Sequence, residues 1–391
     1  MNKKKTYKET FVGPAIYLSV VGPAVFIVQP GLVQAFVTHL GFTEQQAGVV
    51  AAIEMWGIAL ASVFMIALAE RVNHHFILRA AILVMIAGNL VSTFFQGFEI
   101  FSATRLVVGL GSGVLISLGF IIIGKSSNPD RNFGHLVMWV LLFGAITLGA
   151  MPTILGAFGL GGMLSVFTIM YLVAILLIGR LPQSVPHSVK PEPISEIRVT
   201  ALSRISAITG ILMFFTGVGV IWTYLALMGS QTGASEQNVA FALTGSQVAG
   251  AAGALFAAII GSYFGRFKPT FIALVFCVFS LMALLGHSTF MLYIASLCLF
   301  SFSYNFFHPF SYALLTVFDS SAQIIKFAVA AQMLGLAIGP SIAAMLVGSA
   351  QYDSAQYDNV ILVSAALFVV TLLAFSLPIA QLATKTRSSE Q

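Results

Sequence analysis

Long, uninterrupted apolar runs constrain this chain more than any other feature of its sequence. They recur along most of the 391 residues, and each is close to or longer than the ~20 residues that cross a bilayer core. Charged residues make up only 8% of the chain, against about 25% in soluble domains, so lipid rather than water is the expected solvent. Unbroken runs favour helices over the alternating pattern of barrel strands. The sequence therefore predicts an all-α membrane protein.

The number of runs predicts twelve transmembrane helices in two pseudo-symmetric six-helix bundles. The predicted spans are roughly 11–38, 46–69, 76–96, 100–123, 135–156, 161–179, 205–228, 237–264, 270–287, 290–317, 323–349 and 359–383. Between the sixth and seventh lies Gly179–Arg204, a polar segment with four of the thirteen prolines, typical of a solvated linker. We therefore expect an N-terminal six-helix bundle at 1–179, a cytoplasmic linker at 180–204 and a C-terminal six-helix bundle at 205–391.

The basic residues predict the orientation of the chain. Of the eighteen Lys and Arg residues, only Arg105 lies deep inside a predicted span; Arg79 and Lys326 lie in the first turn of theirs, beside even-numbered connections. The others lie before the first span, in even-numbered connections, in the linker or in the tail, which is one side of the membrane if the chain crosses twelve times. By the positive-inside rule, both termini are then cytoplasmic. The short odd-numbered connections define the opposite side, called here the predicted outer face. We expect a multi-pass protein of a cell membrane, and a bacterial inner membrane in particular.

Two connections half a chain apart have related sequences. The second contains Leu68-Ala69-Glu70-Arg71, and the eighth contains Gly265-Arg266. The two arginines are 195 residues apart, an offset that an internal duplication of six helices would give. The simpler alternative is that any cytoplasmic turn carries an arginine.

These motifs resemble those of the major facilitator superfamily, and the resemblance covers the whole chain. The family signature after the second helix, G-x-L-A-D-R-x-G-R-K, is matched by Leu68, Ala69 and Arg71, with Glu70 in place of Asp. The R-x-x-x-G-x-G pattern of the fourth helix is matched from Arg105 to Gly111. The G-x-x-x-G-P pattern, which proton-coupled exporters carry in helix 5, lies in span 11 instead, at 335–340.

The resemblance implies a secondary transporter in which two bundles open a central cavity alternately to either side. It also implies that Glu70 and Arg71 form a conformational latch at the start of span 11, near Asp319–Ser321. Glycines without side chains let helix backbones approach and slide, although ordinary helix packing is an equal alternative at each position. The full set of expected conformational residues is Glu70, Arg71, Gly265, Arg266, Gly109, Gly113, Gly339 and Pro340.

Two strongly charged residues lie deep inside predicted spans, away from the span ends: Glu54 and Arg105. Burying either alone costs several kcal/mol, so each needs a partner, and their similar depths make them candidates for pairing. With Arg105 beside it, Glu54 stays ionised; without that partner, burial favours the protonated form. A substrate that competes for either residue would therefore couple its movement to a proton. The alternative is that Arg105 only holds helix carbonyls together.

Other polar and aromatic residues within the spans are candidates for substrate contact. His308 lies at mid-depth beside Pro309, and its imidazole would titrate near neutrality, although a packing histidine is equally plausible. Trp222 and Tyr224 suit either a cavity or the interfacial belt. The remaining candidates are Gln29 and Gln34 around a proline bend in the first span, Tyr304, Asn305, Gln247 and Gln332.

The sequence carries no phosphate loop, metal cluster or nucleophile–base set, so we expect neither an enzyme nor a cofactor. The two cysteines lie in apolar runs and offer no disulfide framework. Proton-coupled efflux of a small organic solute is the first expectation, with a proton gradient as the driving force and protons, substrate and lipid as partners of a monomer. The alternatives are proton-linked uptake of an organic anion and a membrane receptor or enzyme without transport. Nucleic acid is not an expected partner.

Overall fold

The computed structural model describes residues 11–184, 200–261, 263–265, 267–286, 289–318, 323–348 and 354–389. Thirteen helices and no strands occur in these ranges. They are α1 Val12–Val21, α2 Ala24–Ile27, α3 Gln29–Leu40, α4 Glu44–Leu68, α5 His74–Phe94, α6 Phe98–Gly124, α7 Pro129–Ile178, α8 Ala201–Gln231, α9 Glu236–Ile260, α10 Phe267–Met282, α11 Phe290–Phe318, α12 Gln323–Leu346 and α13 Ser354–Ser389. The predicted all-helical class is confirmed, and nine helices in these ranges are long and apolar enough to cross a membrane.

The predicted first span is broken into α1, α2 and α3. Pro23 separates α1 from α2, and Val28, with non-helical dihedral angles, separates α2 from α3 just before Pro30. Proline lacks the N–H that an interior helical residue would donate, so each proline weakens the helix at this point. The bend predicted from these prolines is therefore present.

The predicted fifth and sixth spans both lie within α7. The helix runs from Pro129 to Ile178, and Gly159 interrupts it with φ 61° and ψ −167°. Only glycine adopts such angles without strain, so Gly159 marks the predicted turn between the two spans. The division at the linker stays a prediction, because residues 185–199 lie outside the described ranges.

Side-chain caps fix several helix starts at the predicted outer face. The Thr43 side chain accepts a hydrogen bond from the Gln46 N–H, and the Gln46 side chain accepts one from the Thr43 N–H, which is a capping box at the start of α4. Ser235 caps α9 in the same position relative to its helix. Both caps fix the residue at which the helix begins.

The three largest groups of contacts between the helices before the linker and those after it involve α3, α4 and α7. Helix α3 packs against α8, α4 against α12, and α7 against α9. Within the N-terminal helices, the closest packing is between α4 and α6, and within the C-terminal helices it is between α8 and α12. The candidate residues lie at or beside these contacts.

Candidate functional site

Glu54 and Arg105 form a buried ion pair between α4 and α6. The guanidinium Nη1 lies 3.9 Å from the Glu54 Oε1, and both side chains are about 1% exposed. The pairing that their depths suggested is therefore present. A buried pair of this kind costs desolvation of both charges, so its stability depends on further hydrogen bonds.

Arg105 finds those further bonds on α5. Its Nη2 donates to the Asn89 Oδ1 at 2.8 Å and to the Ser92 Oγ at 2.9 Å. The Asn89 Nδ2 donates in turn to the Leu164 carbonyl and to the Thr168 Oγ1 on α7. Four helices of the N-terminal segment thus meet around Arg105. We call Glu54, Arg105, Asn89 and Ser92 the Glu54 cluster.

Glu54 is bound far less completely than Arg105. Neither carboxylate oxygen of Glu54 has a hydrogen-bond partner among the described residues, and the Arg105 Nε also lacks one. The Phe101 ring lies beneath the guanidinium, 5.5 Å from its central carbon. Burial favours a neutral Glu54 and the nearby arginine favours a charged one, so the two effects oppose each other.

The Glu54 cluster faces the interior of the N-terminal helices. Trp56, two residues along α4 and so on nearly the opposite side of the helix, donates its indole N–H to the Ser341 Oγ on α12 at 3.1 Å. Glu54 itself is directed towards α5 and α6 through Arg105. The ion pair therefore lies behind the α4–α12 interface rather than in it.

A second polar group surrounds His308 on α11. Its imidazole stacks over Tyr304 with ring centroids 6.3 Å apart and meets the Phe215 and Tyr312 rings edge-on at 5.3 and 5.2 Å. Gln332 on α12 forms hydrogen bonds with both the His308 side chain and the Tyr312 hydroxyl. We call these five residues the His308 cluster. It brings three predicted candidates, Tyr304, His308 and Gln332, together with Phe215 and Tyr312 in one aromatic group that has polar atoms at its edge.

Trp222, Tyr224 and Gln34 connect N-terminal to C-terminal helices. The Trp222 Nε1 donates to the Phe26 carbonyl, the Tyr224 hydroxyl to the Glu44 carbonyl, and the Gln34 Nε2 to the Ser230 Oγ. Trp222 is 8% exposed and Tyr224 is fully buried, so neither belongs to an interfacial belt. These bonds close the predicted outer half of the interface.

The remaining amide candidates have separate environments. Gln29, at the break between α2 and α3, is 2% exposed and neither its Nε2 nor its Oε1 has a partner among the described residues. Gln247 on α9 packs over Gly144 of α7. The Asn305 Nδ2 donates to the Ser301 carbonyl of its own helix. Gln29 is therefore a buried amide whose hydrogen-bonding capacity is unused among the described residues.

The expected latch falls largely outside the described residues. Glu70 and Arg71 are exposed in the turn after α4, and Gly265 has φ 72°. Arg266 and the expected partners at Asp319–Ser321 are not described, so the latch stays a prediction. The neighbouring His74 and His75 bind the carbonyls of Ala69 and Leu181, respectively.

The predicted conformational glycines lie where helix backbones touch. A side chain on Gly109 would contact the Glu54 carbonyl, and one on Gly113 the Ile58 carbonyl, so both hold α6 against α4. On α12, a side chain on Gly339 would lie 2.6 Å from the Gly219 Cα of α8. Pro340 lies against the same glycine. These residues thus pack helices within the N-terminal or the C-terminal segment.

Sequence reasoning missed several residues that these contacts identify. Asn89 and Ser92 complete the Arg105 site, and an asparagine inside an apolar run was the signal that could have found them, because a polar group in lipid needs a partner. Tyr171 on α7 is fully buried, and its hydroxyl has no hydrogen-bond partner among the described residues. Glu44 begins α4, and its carboxylate accepts a hydrogen bond from Tyr357, 313 residues away.

The part of the chain that the structure describes holds no group of three or more His, Cys, Asp or Glu side chains placed to bind a metal ion. Cys277 and Cys298 are free thiols. A recess of about 330 Å³ lies between α3, α7 and α9, lined in part by Gln34, Pro152 and Glu236. No member of the Glu54 or His308 cluster lines it.

Comparison with known proteins extends the sequence resemblance. Residues 15–215, just over half of the chain, match the family model described as Major Facilitator Superfamily. The fold is similar to that of the crystal structure of the nucleoside transporter NupG, with a TM-score of 0.73 over 94% of this chain and 98% of that one. Sequence identity in this comparison is 14%, so it concerns the fold alone. No curated protein matches the sequence.

Proposed function

Because the chain belongs to the major facilitator superfamily, we propose that it exchanges protons for a small organic solute, with Glu54 as the proton-binding residue. The family and the fold make it a multi-pass secondary transporter and not an enzyme. Coupling to protons, the direction of transport and the class of solute are the proposed parts.

One observation carries proton coupling: Glu54 is a buried carboxylate whose oxygens accept no hydrogen bond from the described residues, with Arg105 at 3.9 Å. A carboxylate held only by an ion pair at that distance loses little when it takes up a proton. The protonated form in turn frees Arg105 from its counter-ion and changes the force between α4 and α6. This change supports a coupling role, because α4 packs against α12 across the interface and α6 packs against α4.

The His308 cluster supports a solute with a planar ring. Tyr304, His308 and Tyr312 offer ring faces and edges, and Gln332 offers an amide. A separate apolar group includes residues of both segments: Met55, Ile58, Ala59, Ile116 and Ala337, with Phe26, Trp56, Phe120, Met333 and Leu334 packed on it. Neither group contains Asp, Glu, Lys or Arg, so an uncharged solute fits best.

The direction proposed is export. The hydrogen bonds that close the predicted outer half support a state that opens to the cytoplasm, where an exporter would collect its solute.

A screen followed by flux measurements tests the proposal. Purified protein is heated with a panel of nucleosides, aromatic amines and aromatic carboxylates, and a stabilising compound becomes the transport probe. Nucleosides are included because NupG, which shares the fold, is a nucleoside transporter. In proteoliposomes, an imposed pH gradient should drive the probe, and Glu54→Gln should abolish that drive while leaving probe exchange without a gradient. Unchanged pH-driven flux in Glu54→Gln would remove Glu54 from the mechanism.

The second candidate is proton-linked uptake of an organic anion. His308 favours it, because an imidazole N–H within the aromatic cluster could donate a hydrogen bond to a carboxylate. Stabilisation by aromatic carboxylates alone, with pH-driven accumulation in right-side-out but not in everted vesicles, would select this candidate over export.

A further inference from the structure

Tyr171 is a buried polar residue to which the proposed mechanism gives no role. It lies on α7, its ring is fully buried, and its hydroxyl has no hydrogen-bond partner among the described residues. Most buried hydroxyls are hydrogen-bonded, so an unpartnered one calls for an explanation.

The contacts of α7 place Tyr171 against the Glu54 cluster. Asn89 binds the Leu164 carbonyl and the Thr168 hydroxyl, which shows that this face of α7 is directed towards α5. Tyr171 follows Thr168 by three residues and so lies on the same face, one turn further along. Its hydroxyl interacts electrostatically with both Glu54 and Arg105.

Four polar atoms of this buried group lack partners among the described residues: the two Glu54 oxygens, the Arg105 Nε and the Tyr171 hydroxyl oxygen. Three of them can accept a hydrogen bond, and the hydroxyl and the Nε can donate one. Such mixed groups of buried donors and acceptors are usually satisfied by bound water, which makes about three hydrogen bonds. A water between Tyr171 and Glu54 would satisfy both.

We propose that Tyr171 is a positioning residue that donates a hydrogen bond, through bound water, to the Glu54 carboxylate and thereby sets the pH at which Glu54 takes up a proton. This inference rests on the proposed role of Glu54 in proton coupling. It adds a residue from the sixth predicted span to a pair formed by the second and fourth.

The charged and titratable groups around Glu54 are few. Among the described residues, two such groups interact with Glu54: Arg105 on α6 and Tyr171 on α7. Helix α5 contributes Asn89 and Ser92 to the cluster, neither of which titrates. The water-mediated bond from Tyr171 and the charge of Arg105 both favour the ionised carboxylate.

Proton uptake in this arrangement is a simple addition. A proton from the aqueous phase passes to the bound water, and an O–H bond forms on a Glu54 oxygen. Tyr171 keeps its own proton and Arg105 keeps its charge. The carboxylic acid then donates to the water from which it previously accepted.

Infrared spectroscopy of the purified protein in nanodiscs tests this without a known solute. The carbonyl stretch of a protonated buried carboxyl group is followed as the pH is lowered, and Glu54→Gln identifies the band that belongs to Glu54. Tyr171→Phe removes the hydroxyl and should move the midpoint of that band to higher pH by about 0.5–1 unit, as expected for loss of one water-mediated hydrogen bond to a charge. Tyr171→Leu should produce a shift in the same direction.

Tyr293→Phe is the matched control. Tyr293 is equally buried, but its hydroxyl donates to the Leu225 carbonyl in the C-terminal helices. Its loss should lower stability without moving the Glu54 band. An unmoved band in Tyr171→Phe, or an equal shift in Tyr293→Phe, overturns the inference while leaving Glu54 as the proton site. A band that persists in Glu54→Gln overturns the proposed function itself.

Discussion

Trp222 on α8 donates its indole N–H to the carbonyl oxygen of Phe26 at 3.0 Å. That carbonyl lies four residues before Pro30, which has no N–H to donate to it. A donor from the C-terminal helices thus replaces the helical hydrogen bond that the proline removes. One hydrogen bond therefore both satisfies a carbonyl at the break in the first predicted span and helps to close the interface.

Replacing Trp222 with Phe should therefore favour opening of the predicted outer face. Loss of about 1 kcal/mol of net hydrogen-bond energy changes the ratio of open to closed forms by roughly fivefold. Spin labels at Thr38 and Gln231, both exposed near the ends of α3 and α8, would report the change as a larger long-distance population. Trp139→Phe is the control, because Trp139 is 49% exposed on α7. Identical distance distributions in the two variants would contradict the prediction.

A second hydrogen bond at the same face, between Tyr357 and Glu44, allows the effect of the hydrogen bond to be separated from the effect of the charge. The Tyr357 hydroxyl donates to the Glu44 Oε2 at 2.8 Å, and the Tyr224 hydroxyl donates to the Glu44 carbonyl. Tyr357→Phe removes the donor and should open the face about as much as Trp222→Phe. Glu44→Gln keeps an acceptor oxygen and leaves the main-chain carbonyl in place, so the label distances should stay close to those of the unaltered protein. A Glu44→Gln variant as open as Tyr357→Phe would show that charge, not the hydrogen bond, closes the face.

The contrast between Glu44 and Glu54 shows how far sequence reasoning extends here. Apolar runs and the positions of basic residues reflect whether each segment lies in lipid or in water. They therefore predicted the helical class and most helix bounds to within a few residues. Glu54 and Arg105 were found because a charge in lipid needs a partner. The Glu44–Tyr357 bond joins residues 313 positions apart, and only the packing of α4 against the C-terminal helices brings them together. Asn89 and Tyr171 belong to no motif, so the completed cluster could not be assembled from spacing.

Removing Arg105 should destabilise the protein in a pH-dependent way. Arg105→Ala leaves a buried Glu54 without its counter-ion and should cost about 3 kcal/mol while Glu54 is charged. As the pH falls, Glu54 takes up a proton and the cost disappears, so the deficit in unfolding temperature should be largest at high pH and shrink in acid. Adding Glu54→Gln to Arg105→Ala should remove this pH dependence. A deficit that stays constant from high to low pH would show that the arginine acts through Asn89 and Ser92 alone.

Gly109 connects the packing of α6 directly to the position of Glu54. A Cβ at Gly109 would contact the main-chain carbonyl of Glu54, and Gly57 approaches α6 just as closely from the other side. Gly109→Ala should therefore push α4 away from α6 and cost about 1–3 kcal/mol, as overpacking of a tight interface does. Gly156→Ala is the matched control, because Gly156 is exposed on α7 and a Cβ there meets nothing within 4 Å. Thermal unfolding of the two variants should separate them, with Gly109→Ala melting lower and Gly156→Ala unchanged. Since the displaced carbonyl belongs to Glu54, the same variant should also lengthen the 3.9 Å distance between Glu54 and Arg105. An unchanged infrared titration of Glu54 would show that α4 and α6 move apart at another point.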